Sequence, residues 1–165
     1  MKLLIILSLL AVSCKTENKE EYSSILFFQS VIRKANVGYR YTVKQRINDK
    51  LSEVNGFYLG ELSSNKQRIK IVYSTSYYGN TRQANSALLL FDQDNNLTGF
   101  YSMGGVYREN PYLQKNIVIF PPEALAGCKH ENSLNFTEGV PKEFFIECKN
   151  GIGDFYKLQK SDEWN

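Results

Sequence analysis

Hydrophobic and polar positions change their spacing twice along this chain. Ile25, Phe28, Ile32 and Ala35 recur at helical intervals, and Phe27 and Val31 widen the stripe, which predicts one amphipathic helix over roughly Glu20 to Asn36. Ser23 or Ser24 suits its start, Arg33 and Lys34 suit its last turn, and Gly38 ends it. From Gly38 the period becomes two. Tyr39, Tyr41, Val43 and Ile47 alternate with Arg40, Thr42, Lys44 and Arg46, the mark of a half-buried strand with a basic outer side. Further strands are predicted at Gly56–Leu62, Ile69–Tyr77, Ser86–Phe91, Leu97–Met103, Ile117–Phe120, Phe144–Cys148 and Asp154–Leu158. Asp92–Asn96 and the Asn150-Gly151 step supply two hairpin turns, and Pro121-Pro122 stops the short apolar strand before it.

One helix followed by about eight strands at hairpin spacing predicts a mainly β (α+β) fold. The strands form an antiparallel meander that either closes into a small barrel or stays a curved sheet with the helix on one face. Strands that do not alternate with helices argue against a parallel α/β sheet.

The first residues read differently. Met1–Ser13 has Lys2 and then an apolar run from Leu3 to Val12, too short to span a bilayer and ending in the small residues Ala11, Val12 and Ser13 before Cys14. Ala11-Val12-Ser13-Cys14 resembles the lipobox of bacterial lipoprotein signals, with Ala11 where Leu is usual; an ordinary cleavage site has the same small-x-small form. The resemblance implies removal of residues 1–13, acylation of Cys14 with diacylglycerol and a fatty acid such as palmitate, and a place in the bacterial cell envelope at the outer membrane. Several acyl chains, at about 0.8 kcal/mol per buried methylene, would hold the protein on the bilayer. Residues 14–21 then form a polar tether of at most roughly 25 Å, and residues 22–165 a single β-rich domain. Lys19-Glu20-Glu21 is similar to acidic clusters that route some Bacteroidetes lipoproteins to the cell surface, and equally suits a solvated spacer.

Of three cysteines, lipidation of Cys14 leaves Cys128 and Cys148, expected to form a disulfide in an oxidising compartment. The chain carries 20 basic and 17 acidic residues, near balance, with no case for nucleic acid. His130 stands alone and lacks the second ligand of a zinc helix; Asp92, Asp94 and Asn96 resemble a calcium loop without its glycine or closing glutamate. No nucleophile elbow, phosphate loop or dinucleotide pattern is found, so neither an enzyme nor a cofactor or metal is expected.

Two surface features remain. Arg40, Lys44 and Arg46, with Lys66, Arg68 and Lys70, would make one cationic patch if their strands are neighbours, facing lipid headgroups, acidic polysaccharide or an acidic protein. Tyr77, Tyr78, Tyr101, Tyr107 and Tyr112 would make a sugar- or protein-binding surface. The expected role is a membrane-held, non-catalytic binding module. The alternatives are a calycin-like carrier of a small apolar ligand and an inhibitor of an envelope-directed enzyme.

Overall fold

A computed structural model describes residues 24–47, 50–65, 67–79, 81–105, 109–122, 128, 130–149 and 151–164; within these, the side chains of 45–47, 50, 51 and 149 are left aside. The expected signal, Cys14, the tether, Lys66 and Tyr107 lie outside the described residues, as does the Arg46 side chain.

The fold is mostly β, with one helix. Helix α1 (Ser24–Lys34) is followed by β1 (Arg40–Ile47), β2 (Lys50–Ser64), β3 (Gln67–Tyr78), β4 (Gln83–Phe91) and β5 (Leu97–Gly104). Then come β6 (Tyr112–Gln114), β7 (Ile117–Phe120), β8 (Asn132–Asn135), β9 (Glu143–Lys149) and β10 (Ile152–Lys160), and a 3-10 turn, Ser161–Glu163. Every pairing is antiparallel. The large sheet has the order β1-β2-β3-β4-β5-β10-β9, and β6-β7-β8 form a second, small sheet.

This departs from a single meander. After β5 the chain leaves the large sheet, builds the small one, and returns so that β10 rather than β9 pairs with β5. Nor is there a barrel among the described residues, because β1 and β9 lie at opposite edges of an open sheet. The reason lies in the core. One face of the large sheet buries Phe57, Tyr73, Leu88, Tyr101 and Phe144 against Val118, Phe120, Leu134 and Phe136 of the small sheet and its flank. The other buries Val54, Tyr58, Val72, Leu89 and Phe100 against Phe27, Phe28, Val31 and Ile32 of α1. A sheet covered on both sides has no hollow interior to close around. It also explains the unbroken apolar run Leu88-Leu89-Leu90-Phe91, since neighbouring residues point into different buried layers.

The helix ends before the predicted Asn36. It ends at Lys34, because Ala35 adopts a left-handed φ of 53°, and Gly38 (φ 74°) then turns the chain into β1. Ser24 accepts a hydrogen bond from Trp164 Nε1 at 3.0 Å, fixing the helix to the C-terminal turn. Gly56 lies beneath the helix: a β-carbon there would come within 3.1–3.3 Å of Val31, Phe28 and Phe27. Cys128 and Cys148 form a disulfide that ties the segment before β8 to β9. Beside it, the Asn132 side chain both donates to the carbonyl of Glu147 (3.0 Å) and accepts its N–H (2.9 Å), continuing the pairing of an edge strand.

Candidate functional site: a polar face at the β1–β3 edge

The small sheet covers only part of its face of the large sheet. Directly paired residues share a face, so the register Arg40↔Phe57, Thr42↔Asn55 and Lys44↔Glu53 carries β1's basic residues onto the face that holds Phe57. The next step, Glu53↔Tyr77 and Asn55↔Thr75, extends the same face across β3.

Glu53 is its hub. Its side chain is 12 % exposed and receives Arg40 Nη2 at 3.1 Å, with Lys44 Nζ at 3.7 Å and Arg82 Nη2 at 3.9 Å from its other oxygen. Asn55 beside it is buried and fully engaged. Its Oδ1 accepts from Arg40 Nε (3.0 Å) and Thr42 Oγ1 (2.7 Å), while its Nδ2 donates to Thr75 Oγ1 (3.1 Å) and Glu53 (3.4 Å). Arg82 also lies 4.9 Å from the centre of the Tyr77 ring. Three exposed cations therefore surround one carboxylate, leaving two positive charges uncompensated within the cluster.

Arg68 and Lys70 lie elsewhere. They occupy even positions of β3, on the face that carries Val72 and α1, and β2 separates β3 from β1. Arg68 pairs with Glu61, and Lys70 Nζ donates to Gln93 O (2.8 Å) and Asn95 Oδ1 (2.7 Å). The structure thus brings Arg40 and Lys44 together and places Arg68 and Lys70 across the sheet. Arg82, in the turn before β4 at φ 49°, joins the cluster. Sequence periodicity misses it because turn residues carry no face assignment.

The tyrosines also scatter. Tyr101 is wholly buried, its hydroxyl donating to Pro141 O at 2.5 Å, and burial pushes its pKa well up. Tyr78 and Tyr112 are exposed. Asp92–Asn96 is a hairpin turn: Asp92 Oδ1 accepts the N–H groups of Asp94 (2.9 Å) and Asn96 (2.8 Å). Burial pushes the Asp92 carboxyl up, but those bonds, the Asn96 side chain and the Lys70 charge outweigh it and hold the group below its ordinary value. His130 is exposed, and no group of three or more His, Cys, Asp or Glu among the described residues is placed to hold a metal.

Two concavities lie away from this cluster. A cleft of about 470 Å³ opens at the β4–β5 end of the large sheet over Ile69, Leu90, Val140 and Leu158, rimmed by Arg68, Asp92 and Asp94. A smaller groove of about 190 Å³ lies beside Trp164 on the helix face. Compared with known protein families, curated proteins and solved structures, the chain has no significant match.

Proposed function

We propose that this chain is a lipid-anchored protein of the bacterial envelope whose β domain is a non-catalytic binding module for an acidic polymer. The observation that supports this reading most is the cluster of Arg40, Lys44 and Arg82 around Glu53. A carboxylate hydrogen-bonded by Arg40 and Asn55 fixes the direction of the guanidinium groups without cancelling them. Such a surface draws a polyanion over the range of the Debye length and orients it on arrival. Anchoring through Cys14 would hold it within a tether's reach of the bilayer, where acidic polysaccharides and acidic proteins are encountered.

The test is binding of the full chain to dextran sulfate. It should bind tightly at low salt, and replacing Arg40, Lys44 and Arg82 together by alanine should weaken binding at least tenfold with a shallower salt dependence. Unchanged affinity in the triple variant would refute the reading. The anchor is tested separately: Cys14→Ser should move the protein from the membrane to the soluble fraction.

The carrier alternative draws support from the cleft over Ile69, Leu90, Val140 and Leu158, whose volume falls in the range of small-ligand pockets. Co-purification of an apolar molecule that Leu158→Trp displaces would favour it.

A further inference from the structure

The smaller groove differs from the cleft in the state of its polar groups. Around the cleft several are engaged: Asp92 on its turn, Arg68 on Glu61, and Thr98 on Leu90 O at 3.0 Å. In the groove Ser86 and Glu163 are engaged, on Gly105 O and the Lys160 N–H, but the serines of its floor are not. Its floor is a row of small residues that the register sets side by side, Ser74↔Ala87↔Ser102, with Ser76↔Asn85 as the next row. Between larger neighbours, such a row leaves a depression. Ser74 is 2 % exposed and lines the groove, yet its hydroxyl makes no hydrogen bond among the described residues. Ser52 Oγ is the one buried side-chain N or O atom without a partner among the described residues, so the Ser74 hydroxyl opens onto the groove and can pair with what enters it. Among the described residues the side chains of Ser76, Ser102 and Gln159 are also free to donate and accept, and Asn85 uses only its oxygen, on the Ser86 N–H.

The walls are aromatic. Tyr78 stands exposed on one side. On the other, Trp164 is fixed edge-on against Phe100 and Phe28, with its Nε1 bonded to Ser24. No Lys or Arg lines the groove and Glu163 sits on its rim, which disfavours an anion.

We propose that this groove binds one pyranose ring of an uncharged sugar. Its C–H face would lie on an aromatic wall and its hydroxyls would meet Ser74, Ser76, Ser102 and the two amides. Both demands belong to a polyhydroxylated ring with an apolar face, and a groove of about 190 Å³ takes a small ligand rather than a long chain. This site is on the opposite face of the sheet from Arg40, Lys44 and Arg82 and does not depend on them.

Trp164 is the sole tryptophan, so its fluorescence reports the groove directly. The full chain in zwitterionic detergent is titrated with the methyl glycosides of glucose, galactose and mannose, and with maltotriose. At least one glycoside should give a saturable emission change with a Kd on the order of 1–10 mM. Ser74→Ala, which removes only the hydroxyl, should weaken that binding about fivefold to tenfold. Ser102→Phe, a bulky change at the exposed end of the floor row, should abolish it while leaving the thermal midpoint in place. The Arg40, Lys44 and Arg82 triple variant should respond as wild type does. No saturable change up to about 100 mM of any probe, or a change that both groove variants retain, would overturn the proposal. So would maltotriose binding tenfold or more tighter than every glycoside, which would indicate an extended site.

Discussion

Replacing Glu53 with glutamine probes the charged cluster from its centre. Glutamine keeps the shape and an acceptor for Asn55 and Arg40, but removes the charge that holds three cations together. At about 4 Å and an effective dielectric near 20, each pair would be worth about 4 kcal/mol. The partners are 56, 62 and 66 % exposed, and exposed pairs deliver only about 0.2–1 kcal/mol each. The variant should therefore lose about 1–2 kcal/mol, a fall of roughly 2–8 °C in Tm. The loss should shrink as NaCl rises from about 0.05 to 0.5 M, because screening already weakens the wild-type pairs. Affinity for a polyanion should move the other way, since the cluster gains one uncompensated positive charge. Urea melts at two salt concentrations and salt elution from a dextran sulfate column measure both effects. A variant whose stability loss is independent of salt, or which elutes earlier than wild type, would refute the reasoning.

Four further outcomes follow from the packing. Gly56→Val should destabilise by about 2–3 kcal/mol in urea melts, because its side chain meets Phe27, Phe28 and Val31 of the helix. Replacing Cys128 and Cys148 together by serine should cost about 3 kcal/mol for a loop of 20 residues, seen as a lower urea midpoint that reductant no longer changes. Tyr101→Phe should cost about 1–2 kcal/mol by depriving the Pro141 carbonyl of its buried donor. Asp92 has a lowered pKa in the folded chain, so its contribution should be complete above its unfolded value of about 3.8 and fade as pH falls through the lower folded value. Asp92→Ala should flatten that acid limb of the stability profile.

What could be read in advance was whatever is local. The alternation in β1 and β3, the Asp92–Asn96 turn and the hairpin at Gly151 all depend on neighbours in sequence, and each is found in its place. The strands missed, β6 and β8, are three and four residues long, and β8 reads Asn-Ser-Leu-Asn. Its strand character comes from pairing with β7 and from the Asn132 side chain against β9, both remote in sequence. The start of β2 escaped for a related reason: Ser52 and Asn55 look like loop residues until partners bury them. Which face a charge occupies was also hidden. Arg40 and Arg68 each lie on an alternating strand, but their relative side depends on turn lengths and on the register across β2, which local periodicity does not encode. For the same reason Ser74, Ala87 and Ser102 read as unremarkable small residues until the pairing sets them in one row.

Docking of an acidic partner on the β1–β3 face is tested most directly by amide chemical-shift mapping of the isotope-labelled chain during titration with dextran sulfate. Salt-sensitive shifts should concentrate at Arg40, Thr42, Lys44, Glu53, Thr75 and Arg82, with Arg68 and Lys70 unmoved. Shifts centred on Arg68 and Lys70, or spread evenly over all lysines and arginines, would contradict it.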